Sequence, residues 1–233
     1  MSKIKLDARL SAVASLVRKG SRVADIGTDH GYLLAWLIEN GISPCGIAAD
    51  INKGPLDNAK KTVVESGIAD KVELILSNGL QKIAENSCDD IVIAGMGGNL
   101  ISDILSACPW IYNENLHIVA QPMSHAEVLR EFYVKNGFKI LEEKTATDGK
   151  RIYCIISAVY TGVKEDRPVS YAYLGELTKN SDELTKKYID KILFALEKKY
   201  NALISVGKEN ETDLGRIIDD IRNKIPEEND GYC

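Results

Sequence analysis

Leu6, Leu10, Val13 and Val17 recur at i, i+4, i+7 and i+11, the spacing that gathers apolar side chains on one face of a helix. Gly20 follows where a helix end favours positive φ, so an opening helix is predicted. Behind it, Arg22 to Ile26 reads as a short buried strand, Gly27-Thr-Asp-His-Gly31 as a tight turn and Tyr32 to Glu39 as a helix. The alternation continues through strand Cys45 to Ala49, helix Lys53 to Ser66, strands Lys71 to Leu76 and Asp90 to Ala94, helix Gly98 to Ala107 and strand Leu116 to Ala120. Leu100, Ile101, Ile104 and Leu105 form one stripe, and Leu56, Val63 and Val64 another, so both helices are expected to face a core. Strands separated by helices imply parallel crossovers and a sheet covered on both faces.

The pattern changes after the fifth strand. A helix over Ser124 to Asn136, with Leu129, Phe132 and Tyr133 on one side, leads into two β-rich runs, Lys139 to Thr145 and Arg151 to Tyr160. Asp148-Gly149 between them is a tight-turn signal, which predicts an antiparallel hairpin. A parallel sheet closed by such a hairpin points to an α/β fold, the Rossmann-like seven-stranded sheet of S-adenosylmethionine-dependent methyltransferases, whose last strand is antiparallel. Thr161 to Pro168 is a polar connector, which divides the chain into a sheet domain, 1–162, and a helical domain, 163–233. In the latter, Leu184, Tyr188, Ile192, Leu196, Leu203 and Val206 keep a helical spacing over Asp182 to Val206. Leu214, Ile217, Ile218, Ile221 and Ile225 repeat it over Thr212 to Ile225, and Gly207 to Asn210 would turn one helix back on the other as an antiparallel coiled-coil hairpin.

Composition narrows the partners. The chain has 233 residues, 45% of them hydrophobic, and a net charge of −5, so it can bury a substantial core and any nucleic-acid contact must use a local basic face. Residues 163–233 themselves carry 12 basic against 15 acidic side chains, which excludes a uniformly basic clamp. Five scattered cysteines and three histidines, with no Cys-x-x-Cys or His-x-x-x-His spacing, read as reduced thiols and no metal site. The N-terminus lacks an apolar signal core and no run is long enough to cross a bilayer, so a soluble, cytoplasmic protein is expected, with no membrane partner and a monomeric state.

In an open α/β sheet the ligand lies at the carboxyl ends of the strands, where strand order reverses. Glycines and acids concentrate there. After strand one, Gly27 and Gly31 flank Asp29, which stands where a dinucleotide fold wants its middle glycine. A carboxylate would repel a pyrophosphate, whereas a sulfonium and an ammonium would welcome it. Strand two ends in Asp50, which suits ribose hydroxyls or a local turn, and strand three in Ser77-Asn78-Gly79-Leu80, where Asn78 suits an adenine amine or an Asn-Gly turn. Strand four ends in Ala94-Gly-Met-Gly-Gly98, without the Asn/Asp-Pro-Pro-aromatic motif of enzymes that methylate exocyclic amines. Cys108-Pro109 has the reverse of the order that carbon-5 cytosine enzymes need. What remains is bare backbone able to admit a planar base, followed by Gln121-Pro122-Met123, whose amide and proline could line a pocket.

Together, Asp25-Ile-Gly-Thr-Asp-His-Gly-Tyr-Leu33, Asn78-Gly-Leu80, Ala94-Gly-Met-Gly-Gly98 and Gln121-Pro122 resemble the bacterial tRNA (adenine-22 N1)-methyltransferases, over Leu6 to about Gly162. The resemblance implies S-adenosylmethionine as cofactor, released as S-adenosylhomocysteine, and tRNA as partner. It implies that Asp25, Gly27, Thr28, His30, Gly31 and Tyr32 hold the methionine part. Asp50 and Ile51 would hold the ribose, Asn78 and Gly79 the adenine, with Ala94 and Gly95 beside the donor. Gly95, Met96, Gly97, Gln121 and Pro122 would face the target base. Two positions depart from the family pattern: Leu34 replaces a frequent proline, and Asp7-Ala8 replaces a Ser-Lys pair ahead of Arg9-Leu10.

N1 of adenine carries an in-plane lone pair and no hydrogen, so direct in-line displacement needs no general base. Asp29 is the candidate carboxylate for the developing positive charge, with turn capping as its alternative role. The target base is expected to be drawn into the pocket. Phosphate contacts are expected from Arg9, Lys150 and Arg151, with Lys3, Lys5, Arg18 and Lys19 near the N-terminus as further candidates. Lys186, Lys187, Lys191, Lys198 and Lys199 form either a phosphate stripe or a solvated face. A methyltransferase acting on another RNA base or a small molecule, and a cofactor-binding module without turnover, remain the alternative readings.

Overall fold

The computed structural model describes residues 4–225. Seven strands form one sheet in the order β3-β2-β1-β4-β5-β7-β6. In chain order, β1 is Val23–Ile26, β2 Gly46–Asp50, β3 Val72–Leu76, β4 Asp90–Met96, β5 His117–Pro122, β6 Phe138–Thr147 and β7 Ile152–Tyr160. The first five are parallel, and β7 runs antiparallel between β5 and β6. This is the expected Rossmann-like methyltransferase sheet. Its strand order reverses between β1 and β4, which places the ligand edge at their C-terminal ends.

Alternating side chains fill two layers. Ile91 and Ile93 of β4 and Ile118 and Ala120 of β5 face α4 (Gly98–Ser106) and α5 (Ala126–Lys135). Val92 and Val119, pointing the other way, face α1 (Ala8–Ala14), α2 (Tyr32–Glu39) and α3 (Lys53–Glu65). Ile101 and Leu105 are buried as the stripe predicts, but Leu100 and Val64 lie in solvent. Each sits one residue off the centre of its apolar face. Helix α1 is shorter than the apolar spacing suggests, and Asp7 is its N-cap, accepting the Leu10 N–H at 2.6 Å. Asp7 thus serves the helix start.

The C-terminal helices are not a simple pair. Between the connector, Thr161 to Pro168, and the long helix, where the sequence assigned no particular element, lie α6 (Ser170–Leu174) and a 3-10 turn at Leu177–Lys179. Helix α7 (Glu183–Ile204), about 33 Å long, and α8 (Leu214–Lys224) run antiparallel, with Gly215 against Tyr200 and Arg222 bonded to Glu197 at 2.6 Å. Leu174, Leu177, Ile189, Leu196, Leu214, Ile217, Ile218 and Ile221 form their common core. Val206, expected on this stripe, is exposed at the end of α7. No helix among the described residues is long and apolar enough to cross a membrane, and no cluster of metal-ligating side chains occurs among them. Lys3 and Cys233 lie outside the described residues. Cys88 and Cys108 are buried, which pushes their thiols up to about 12 and about 11 and leaves them unreactive.

Candidate active site

The turn after β1 is built by two residues with left-handed backbone. Gly27 has φ +79° and Gly31 φ +67°. A side chain on Gly27 would meet Met96 Cε at 2.1 Å, so Gly27 is also the place where the β4 tip closes on the β1 tip. Gly31 packs against Ala59 of α3 and starts α2, whose free N–H groups face the turn. Inside it, Asp25 is buried and its carboxyl is pushed up to about 6, chiefly by burial; the neighbouring Thr28 hydroxyl and the Arg9 guanidinium pull it down, and Asp50 adds to the rise. Thr28 Oγ1 is itself buried without a well-formed hydrogen bond. A buried acid with a buried hydroxyl beside it, under a glycine turn, has the chemistry to receive a cationic, hydrogen-bonding group.

Asp50 ends β2 half-buried, with Oδ1 accepting the Asn52 N–H at 2.7 Å. One carboxylate oxygen therefore serves the turn. Ile51 beside it is 59% exposed, an apolar surface at the ligand edge. Asn78 is exposed and lines a cleft of about 160 Å³ with Leu80, Leu100 and Ile104, while Gly79, at φ +55°, lies against Ile104. Asp29 stands 75% exposed at the tip of the first turn, 3.3 Å from His30 Nε2. The His30 ring stacks on Tyr32 with centroids 5.1 Å apart. These residues share the edge expected of them.

The fourth tip differs from a plain glycine loop. Gly95 is exposed and Met96 and Gly97 half-buried, and a Cβ on Gly98 would overlap the His125 carbonyl oxygen at 2.0 Å. The loops after β4 and β5 thus press against each other. His125 itself has φ +54° as the N-cap position of α5. Gln121 is fully buried and turned inward, bonded to Arg9, Gly95 and the Pro122 carbonyl, so its amide is not presented to a base edge as the sequence suggests. Both polar atoms of that amide are engaged within the protein. The Arg9–Gln121 link joins residues 112 positions apart, which no local pattern reveals.

Beyond Pro122 the same edge opens into a cleft of about 380 Å³ between the β5–α5 loop and α7, lined by Met123, Tyr153, Tyr188, Lys191 and Lys199 among others. Lys150 and Arg151 are exposed in the β6–β7 turn at this edge, where Asp148 accepts both of their amide N–H groups. The Tyr153 hydroxyl and those amides hold the Asp148 carboxyl down at about 2. Lys187 is paired with Glu183 at 2.6 Å, whereas Lys191, Lys198 and Lys199 form no ion pair among the described residues. Arg18, a phosphate candidate from sequence, is at the opposite edge. Its Nε donates to Asp90 Oδ1 at 2.7 Å, and Asp90 in turn holds His117, which reaches Ser157. That buried Asp–His–Ser series braces β4, β5 and β7 far from the ligand edge.

A family model described as a methyltransferase domain matches residues 6–156. The chain is 34% identical to the tRNA (adenine(22)-N(1))-methyltransferase of Bacillus subtilis over 158 residues, 68% of this chain and 66% of that protein. In three dimensions it resembles the crystal structure of the B. subtilis m1A22 tRNA methyltransferase TrmK with a TM-score of 0.85 at 26% identity, covering 96% of this chain and all of that one (100%). It also resembles Streptococcus pneumoniae Sp1610 in complex with S-adenosyl-L-methionine, with a TM-score of 0.81 at 28% identity over 95% of this chain and 100% of that one. The sheet order, the buried acid beneath a glycine turn and these likenesses agree, and the chain belongs to the methyltransferase-domain family.

Proposed function

We propose that this protein transfers a methyl group from S-adenosylmethionine to N1 of adenosine 22 in tRNA. The observation that carries the reading is the Ala94–Gly98 tip beside the Asp25 turn, where Gly95 is exposed and Ala94, Met96 and Gly97 are half-buried, and which brings no titratable side chain of its own. Such a shelf suits an acceptor that needs no proton removed. The named relatives supply the base and the position.

S-adenosylmethionine, when bound, supplies an electrophilic methyl on a positively charged sulfur. Asp25, once ionised, would hold its ammonium, with Thr28 Oγ1 as the adjoining hydrogen-bond partner. The free oxygen of Asp50 would take the ribose hydroxyls, Ile51 would cover the sugar and adenine, and Asn78 would bond the adenine amine. Gly95 and Gly97, without side chains, would leave the approach to the methyl clear, and Pro122 would bound it. Asp29, on the rim, offers a carboxylate to the positive charge that develops on the base.

The tRNA would lie across the cleft between the β5–α5 loop and α7, with Lys150 and Arg151 on one side and Lys191 and Lys199 on the other. On this reading residues 1–162 hold the donor and residues 163–233 form a helical unit that shares the RNA. Labelled methyl incorporation into a tRNA transcript with adenosine at position 22, and none into the same transcript with guanosine there, tests the assignment.

A further inference from the structure

Gly95 is where β4 departs from a regular strand. Ala94 pairs with Gln121 and Met96 with Pro122, so Gly95 is one residue too many, and its φ is +85°. A bulge of this kind takes an N–H out of the ladder and re-aims the chain. Here that N–H donates to Gln121 Oε1 at 3.1 Å, and Arg9 Nη1 donates to the same oxygen at 2.8 Å. Both neighbours are donors, so the atom between them must be the amide oxygen. The Gln121 Nε2 is fixed in turn by the Pro122 carbonyl at 3.1 Å.

Arg9 is delivered to this place by its own helix start. Asp7 caps the first turn of α1 and pairs with Arg9 Nη2 at 3.9 Å, while Nη1 of the same guanidinium reaches Gln121. The guanidinium passes alongside the shelf, since a Cβ on Gly95 would stand 3.9 Å from Nη1. With Nη1 held on Gln121 Oε1 at 2.8 Å its use at the shelf is positional, while the same charge also favours the ionised form of Asp25.

We infer that Arg9 is a positioning residue of the methyl-transfer site: through the buried Gln121 amide it clamps the Gly95 bulge and so fixes the surface on which the accepting base is laid. The inference rests on the reading of that shelf as the acceptor face. Without the guanidinium, the amide oxygen keeps one donor instead of two, and the bulge is free to relax.

Two measurements test it together. Amide hydrogen exchange at Gly95, followed by NMR on the protein alone, is expected to quicken by about tenfold in Arg9→Met, with Arg9→Lys intermediate. Steady-state methylation at about pH 8, where Asp25 is ionised throughout, is expected to show kcat reduced by about tenfold to a hundredfold in Arg9→Met. The tRNA KM and the donor Kd should be unchanged, and Arg9→Met/Gln121→Leu should be no worse than Gln121→Leu alone. Unchanged Gly95 exchange in Arg9→Met would overturn the clamp, as would a raised tRNA KM at constant kcat, which would make Arg9 a phosphate contact. Absence of tRNA methylation by the wild-type chain would reject the proposed function instead, and the exchange data would still decide the clamp.

Discussion

Arg130 of α5 and Glu143 of β6 form a fully buried ion pair, Nε to Oε1 at 2.8 Å, beneath the segment that joins sheet and C-terminal helices. Arg130 Nη1 also donates to the carbonyls of Ala172 and Tyr173, and Glu143 Oε2 accepts the Glu176 N–H at 2.6 Å. Gly175, at φ +53°, passes so close that a Cβ would meet Glu143 Oε2 at 2.0 Å. The helical unit is therefore fastened to the sheet by backbone groups held on two buried charges, and the cleft beside Pro122 is held open as a preformed shape.

Removing one member of such a pair strands the other. Arg130→Met should cost roughly 3–5 kcal/mol in denaturant unfolding, and Arg130→Met/Glu143→Leu should recover part of it. Gly175→Ala should destabilise through the same contact.

The raised Asp25 carboxyl gives a pH dependence with a definite sign. In the range from its ordinary value near 3.8 to about 6, the folded protein holds this proton more tightly than the unfolded chain, so its contribution to stability falls as pH rises through that window. Asp25→Asn should therefore stabilise the ligand-free fold near neutral pH, by up to about 3 kcal/mol, while abolishing donor binding. For the wild type, donor affinity should fall about tenfold per pH unit below about 6, with proton release visible as a buffer-dependent heat. Affinity that is flat from pH 5 to 8, about one unit below and two above that value, would remove Asp25 from the ammonium site.

Asp29→Asn should lower kcat by about tenfold or more and leave donor affinity nearly unchanged. Equal losses in kcat and affinity would reassign Asp29 to donor binding or to the turn, where its neighbour His30 already contacts it.

The cleft lysines should behave as phosphate contacts. Lys191→Ala and Lys199→Ala should each weaken tRNA binding on all accepted tRNAs alike and reduce the salt slope by about one, with donor affinity intact. Lys187→Ala, which removes a side chain already paired with Glu183, should change the slope less.

The sheet was legible because apolar alternation and glycine turns are local signals. All seven strands lie within a few residues of their predicted spans, and the Asp148-Gly149 hairpin closes the sheet as its composition suggests. The ligand edge was legible for a similar reason, since Asp25 and Asp50 lie at the C-terminal ends of β1 and β2 and Asn78 just beyond β3 in a fixed topology. Helix α6 escaped because its five residues are too few for a periodic pattern. The inward turn of Gln121 and the true place of Arg18 escaped because each depends on a partner more than 70 residues away, Arg9 for one and Asp90 for the other. Residue type marked them as polar and available; only tertiary pairing shows that they are spent within the protein.

The account is tested most directly by mass spectrometry of nucleosides from unmodified tRNA after incubation with this protein and S-adenosylmethionine carrying a labelled methyl. The predicted result is label in 1-methyladenosine alone, located to position 22 by fragment mapping. Label in another nucleoside, or none in tRNA when the donor is shown to bind, would contradict it.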